Sequence, residues 1–511
     1  MSTETKPAKQ RLRHFFALAA ALAFAVGSHA AQGQHEPDGA ATDGTVHDAG
    51  AQTRIGTPPD ELAGEQPDVP DVPRLDDPDD GELPEGGDRA FLAAVVSAGG
   101  ARDEGFRVGD QELEDTSYVV TPTLLFLNRP SERAELAIGY APEIESFQDH
   151  PELDAVHHAA GLLWRFDPSD RSRISFGASL LDGEDPSRHL DGLIVLLPRT
   201  PYTQARAHVD LARRWRFTGL SLHVGRTDTE IEGTEGLLGS GVDQTDDYAM
   251  LTLEQMAGRR TDLFASYSYL DPTPGPDAPA DEQGLLPGVL TEPIQTLQLG
   301  FTRRLTRLVT LEIAGGLLDD GREPAEGEDR YTYIASGEIR REGDVLTFRV
   351  RYDRSLLSLT PTIPAAGGGA AGPAPPSAAL HDSLAHTATL DFEIRPGPYL
   401  RWQQLVRATL AELDDVDGVG GATLAAEDIE TIALTSRLIL PATRRFAVYA
   451  QVDHFETQGG FFAPDEGVGA ADRSRTRYGA GLIVGISGPP AAWGIREEPA
   501  LLLRTLRPDR Y

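Results

Sequence analysis

Leu346-Thr347-Phe348-Arg349-Val350-Arg351-Tyr352-Asp353 sorts its residues by parity: the even positions are apolar or aromatic and the odd ones polar or charged. Side chains alternate faces along a strand, whereas a helix with its period of 3.6 would mix the two sets. Phe446-Ala447-Val448-Tyr449-Ala450-Gln451-Val452-Asp453 divides in the same way. In Arg133-Ala134-Glu135-Leu136-Ala137-Ile138-Gly139-Tyr140, one face takes Leu136, Ile138 and Tyr140 and the other Arg133 and Glu135. Such segments recur from about residue 89 onward and predict strands.

The connections between these segments sharpen the prediction. Short, turn-like ones such as Asn128-Arg129-Pro130-Ser131, Asp167-Pro168-Ser169-Asp170, Arg395-Pro396-Gly397-Pro398 and Pro441-Ala442-Thr443-Arg444 alternate with long ones. The long ones cover residues 183–201, 228–245, 271–292, 358–382 and 457–474, and are acidic and rich in Gly and Pro. Short turns on one side and long loops on the other are the habit of outer-membrane barrels. Strands are expected to start near residues 91, 116, 132, 154, 171, 202, 216, 246, 261, 293, 307, 330, 345, 383, 399, 428, 445 and 475. The expected fold is all-β, a transmembrane antiparallel β-barrel of about 18 strands, an even number as closure requires. Its expected place is the outer membrane of the cell.

The N-terminus reads as an export signal. Lys6, Lys9, Arg11 and Arg13 precede an apolar run from Phe15 to Val26, followed by small residues up to Ala30. That run is shorter than the roughly 20 residues of a helical span. Residues 31–88 are rich in Pro, Gly, Asp and Glu, as in Asp76-Asp77-Pro78-Asp79-Asp80, and lack the apolar content to offset chain entropy. The expected order is a signal peptide over 1–30, a disordered acidic periplasmic linker over 31–88, the barrel over 89–488 and a C-terminal tail over 489–511.

Composition removes several function classes. With 46 Lys and Arg against 80 Asp and Glu, the net charge of −34 makes nucleic acid an unsuitable partner. No cysteine is present, so thiolate chemistry, disulfides and thiolate metal sites are excluded. The mean hydropathy of −0.30 suits a barrel, in which only alternate strand residues meet lipid. No Gly-x-Ser-x-Gly, His-Glu-x-x-His or phosphate-cradling glycine loop occurs. His157 and His158 are adjacent, and so point to opposite faces of a strand. The sequence therefore predicts no catalytic residue, metal site or cofactor.

Charge facing lipid costs about 2–4 kcal/mol at mid-membrane depth, so strand charges are assigned to the lumen. That assigns Arg133, Glu135, Arg206, His208, Asp210, Arg349, Arg351, Asp353, Arg401, Arg407, Arg437 and Asp453 to its lining. Arg349, Arg351, Arg401 and Arg407 are expected on neighbouring strands as a cationic stripe, which would attract acidic solutes. A network that merely neutralises itself across the lumen is the alternative. Tyr399 and Trp402 are candidates for stacking on sugar rings, Trp402 also for the lipid-interface belt. The apolar Leu193-Ile194-Val195-Leu196-Leu197-Pro198, inside a long loop, is either a lumenal constriction or an interfacial piece.

Five segments resemble the outer-membrane β-barrel proteins of exopolysaccharide biosynthesis and export systems. They are Asp115-Thr116-Ser117-Tyr118-Val119-Val120-Thr121-Pro122, Leu136 to Phe147, Leu153 to Ala160, Asp185-Pro186-Ser187-Arg188 and Arg199-Thr200-Pro201-Tyr202. The resemblance covers roughly residues 89–230. It implies a channel that carries a polysaccharide across the outer membrane, and the barrel is expected to be a monomer without enzymatic activity. Its expected partners are that polymer, outer-membrane lipid and lipopolysaccharide, and a periplasmic polysaccharide export protein. A general or small-solute porin is the first alternative, and an outer-membrane enzyme or a structural or adhesive barrel the next.

Overall fold

The computed structural model describes residues 90–487 apart from 109–110, 132, 187–198, 233–241, 275–292, 320, 322–330, 359–378, 398, 413–415, 418–422, 444 and 463–472. The export signal, the acidic linker, the tail and the apolar 193–198 segment lie outside the described residues. Among the described residues no helix is long and apolar enough to cross a membrane, which says nothing of crossing by strands.

Eighteen antiparallel strands close on themselves. They are β1 (Ala90–Val108), β2 (Gln111–Ser131), β3 (Ala134–Phe147), β4 (Ala155–Ser169), β5 (Ser172–Gly183), β6 (Tyr202–Arg214), β7 (Thr218–Ile231), β8 (Val242–Gly258) and β9 (Thr261–Pro274). The second half comprises β10 (Ile294–Arg304), β11 (Val309–Asp319), β12 (Thr332–Arg341), β13 (Leu346–Ser358), β14 (Ala379–Gly397), β15 (Leu400–Glu412), β16 (Thr423–Thr443), β17 (Phe446–Phe462) and β18 (Arg473–Ser487). A bridge at Val416–Asp417 lengthens the hairpin into β16. Each strand pairs with its sequence neighbours, and β1 closes the sheet against β18 from Ala94 opposite Ser487 to Glu104 opposite Thr476.

The sheet is a membrane-spanning wall because its outward face is apolar. Leu92, Leu124, Ile144, Leu253, Leu299 and Leu317 all stand exposed, while the alternate positions are covered. A band of this kind on a closed sheet belongs in a bilayer, since closure of β1 on β18 leaves no unpaired strand edge. The short turns, such as those at 170–171 and 259–260, mark the periplasmic end. At the opposite end the outward positions turn ionic: Arg102 pairs with Glu104 and Glu114, and Arg226 with Asp228. This chain is an outer-membrane β-barrel.

Two expectations about connections are corrected. The predicted turns at Asn128–Ser131, Asp167–Asp170, Arg395–Pro398 and Pro441–Arg444 are largely strand, since β2, β4, β14 and β16 run on to Ser131, Ser169, Gly397 and Thr443. Each carries a register shift there: in β2, β4 and β14 the shift takes in Pro130, Pro168 and Pro396, which have no N–H for the ladder, and in β16 it falls at Ala442, next to Pro441. The first outer connection is also short, only residues 109–110, which departs from the expected alternation.

Candidate functional site

The inward face of β1, β3, β4 and β18 carries a sealed ionic cluster near the long-loop end. Arg475 on β18 holds two carboxylates at once. Its Nε and Nη2 donate to Asp103 of β1 at 2.9 and 2.6 Å, and its Nη1 and Nη2 donate to Asp185, just past β5, at 3.0 and 2.8 Å. Only a planar guanidinium presents donors in this double fork. Two residues along, Arg477 donates from Nη2 to Glu145 Oε1 of β3 at 3.0 Å and to Ser117 Oγ of β2 at 3.3 Å. β18 and β3 are separated around the wall by β1 and β2, so these side chains meet across the interior.

Glu145 is the second hub. Its Oε2 accepts from Arg199 Nη1 at 3.0 Å, and Arg199 Nη2 also donates to the Leu153 carbonyl at 3.0 Å. His157 Nε2 lies 3.5 Å from the same oxygen. The Glu184 N–H donates to His157 Nδ1 at 3.2 Å, which places the imidazole proton on Nε2, toward Glu145. Two rings tilted at 38° to each other floor the cluster. Phe106 and Phe147 stand 5.6 Å apart, with Arg475 over Phe106 at 5.9 Å and Arg199 over Phe147 at 4.7 Å. Phe106 reaches this place through a bulge at Gly105, whose φ of 81° and closeness to the Ser474 carbonyl leave no room for a side chain.

The five segments that carry the family resemblance meet at this cluster. Ser117, Glu145, Phe147, His157, Asp185, Arg199 and Thr200 come from all five of them. Sequence reasoning did not single out Asp103, Glu145, Asp185, Arg199, Arg475 or Arg477 as a site. The available signal was Arg473-Ser474-Arg475-Thr476-Arg477, three arginines at strand period, of which Arg475 and Arg477 are buried and so demand acidic partners.

The residues assigned to the lumen fall out as follows. Glu135, beside Arg129 at 3.1 Å, sits on the face opposite Ile138 and Tyr140. Arg206, His208 and Asp210 of β6 alternate with the exposed Val209 and Leu211. Arg349, Arg351 and Asp353 of β13 lie opposite in parity to Phe348 and Val350. Arg401 and Arg407 of β15, Arg437 of β16 and Asp453 of β17 share that inward parity through the register of their strands. Arg133 is a correction: it lies in the turn before β3, paired with Asp170 of the next turn, because β3 begins only at Ala134.

The expected arginine stripe needs correction too. Arg349 and Arg351 are on β13 and Arg401 and Arg407 on β15, with β14 between, so they are not on neighbouring strands. The stripe is also interleaved with acid. Arg349 lies 3.5 Å from Glu338, Arg351 2.6 Å from Asp353 and Arg401 2.8 Å from Glu393. Trp402 is not a lumenal stacking residue. It faces outward, donates from Nε1 to Ser436 Oγ at 3.1 Å and meets Phe392 edge-on at 5.1 Å. Tyr399 sits exposed in the turn before β15. Of the histidine pair, His157 faces inward and His158 outward, within 2.9 Å of the Tyr140 hydroxyl.

A third group lies on β5 to β8. Asp210 takes a hydrogen bond from Ser175 Oγ at 2.9 Å, pairs closely with His223 Nδ1 and lies 3.6 Å from His208 Nε2. Tyr248 packs on His223 with ring centroids 5.1 Å apart. Because the serine hydroxyl donates to the carboxylate, it is not presented to an imidazole base. Such an order gives an oriented polar wall in place of an activated nucleophile.

No family model and no curated protein matches the chain. Among solved structures it is similar to the siderophore receptor PirA of Pseudomonas aeruginosa, at 9% identity over 78% of this chain and 81% of that one, with a TM-score of 0.38. The alcaligin outer-membrane receptor FauA of Bordetella pertussis gives 11% identity, 78% and 76% coverage and a TM-score of 0.36. OpdQ of Pseudomonas aeruginosa gives 10% identity, 78% and 98% coverage and a TM-score of 0.37. With TM-scores this low, these likenesses carry no weight for cargo or mechanism, and the functional reading rests on this chain's own residues.

Proposed function

We propose that the protein is an outer-membrane channel through which a polysaccharide leaves the cell, passively and without covalent chemistry. The observation that carries this reading is the convergence of the five resembling segments on one interior cluster, so that the resemblance concerns the lumen as well as the strand rhythm. The wall of β11 to β15 supplies contacts suited to a sliding polymer. There, guanidinium groups and carboxylates alternate while remaining partly open, and offer weak, repeated hydrogen bonds to hydroxyl and carboxylate groups. The partners proposed with it are a periplasmic polysaccharide export protein and, at the outward ionic rim, lipopolysaccharide. The barrel works as a monomer in this account.

A small-solute porin is the second reading, favoured by the close pairing of Arg351 with Asp353 and of Arg401 with Glu393, which offsets the charge of the stripe. A chromosomal deletion separates the two. Loss of surface polysaccharide with precursors retained inside the cell supports export. Normal polysaccharide with slowed uptake of small hydrophilic solutes overturns it in favour of the porin.

A further inference from the structure

The connection leaving β5 is tied down where it begins and where it returns. Asp185 is fully buried between Arg475 and the β1 wall, and Arg199 and Thr200 are buried at the return. Arg199 is fixed to Glu145, and the Thr200 hydroxyl donates to the Glu232 carbonyl at 2.9 Å, while the Thr200 N–H donates to the Glu184 carbonyl at 2.9 Å. Three guanidinium groups (Arg199, Arg475, Arg477) face three buried carboxylates (Asp103, Asp185, Glu145), and the half-exposed Glu184 carboxylate lies 3.8 Å from Arg199 at the edge of the cluster. A buried set of paired charges of this kind holds its members together, because parting any one strands a charge away from water. Asp185 and Arg475 come from β5 and β18, five places apart around the wall.

We propose that this cluster is a brace which fixes the bore of the channel. Arg475 and Glu145 act as positioning residues that hold Asp185 and Arg199 against the inside of β18, β1 and β3. The side chains of the cluster occupy that side of the lumen, and cargo is confined to the side lined by β11 to β15. Bore is then set by the brace as well as by strand number. The inference rests on the channel reading and adds which residues limit what passes. Asp185 is the informative position, because Asp185→Asn changes one atom in shape yet removes the charge that two arms of Arg475 grip.

The test uses the full chain, purified and placed in planar lipid bilayers, comparing the unaltered protein with Asp185→Asn, Arg475→Met and Arg351→Met. The brace predicts single-channel conductance about 1.5-fold or more higher for the first two variants, with wider spread between channels, and little change in bore for the third. A second readout exploits the absence of cysteine. Thr200→Cys, buried, should react slowly with a membrane-impermeant maleimide, and about tenfold faster when combined with Asp185→Asn. Should Arg475→Met not assemble, Asp185→Asn carries both readouts. Unaltered conductance together with unaltered labelling overturns the brace. A protein that conducts nothing but shows the labelling change retains the brace and sinks the channel reading.

Discussion

On β18, β1 and β3 the inward charges are sealed, whereas on β11 to β15 the same residue types stand partly open. Side-chain exposure is 10% for Arg475 and 1% for both Asp103 and Asp185, against 45% for Arg349, 22% for Glu338 and 29% for Arg351. The ion-pair distances overlap, so distance does not distinguish the two regions. Water does. A pair the solvent can reach gives up little when broken, because water replaces the lost partner; a sealed pair leaves a stranded charge. One wall of the lumen is therefore structure, and the other is surface available to cargo.

The largest expected effect is at Arg475. Arg475→Ala leaves Asp103 and Asp185 facing each other without a cation and should cost about 3–5 kcal/mol, read from urea unfolding in lipid vesicles. Arg475→Lys should recover little of this, since an ammonium cannot grip two carboxylates through a double fork. Next comes the outer face, which calibrates the scale: Leu299→Arg, exposed on β10, should cost about 2–4 kcal/mol in the same assay if it sits near the bilayer centre. Phe147→Leu removes the ring under Arg199 and half of the Phe106 contact. A loss of about 1–2 kcal/mol is expected there, and no loss would show that the rings only fill space. The smallest stability effect belongs to Arg349→Ala on the open wall, below about 1 kcal/mol, accompanied by a shift of channel selectivity toward cations. A large stability loss there would erase the distinction between the two walls.

Strand parity was legible throughout. Leu346 to Asp353 keep their predicted faces, and each of the eighteen strands begins within a few residues of its expected start. The larger displacements lie at descending strands. β2 starts at Gln111 and not near 116, β8 at Val242 and not near 246, β14 at Ala379 and not near 383, and β16 at Thr423 and not near 428. These strands begin on the long-loop side of the apolar band, where, as at Glu112 and Glu114 of β2, the outward face meets water and no apolar alternation is required. The sequence pattern therefore reports the hydrophobic band more faithfully than it reports the strand. The brace was not legible, because Arg475 and Asp103 are 372 positions apart and pair only once the barrel closes. Individually, its members looked like one more lumenal charge or one more loop residue. Arg133 failed for a related reason: at a strand end, parity no longer fixes which way a side chain points.

The most direct test of a two-walled lumen is single-cysteine accessibility in the otherwise cysteine-free chain. Cysteine would be placed at Arg349 and Arg351 on the open wall, at Ser117 and Thr121 on the sealed one, and at Val350 on the lipid face. The account predicts fast reaction with a water-soluble thiol reagent at the first pair, slow reaction at the second, and reaction only with a lipid-soluble reagent at Val350. Equal rates at all four lumenal positions would contradict it.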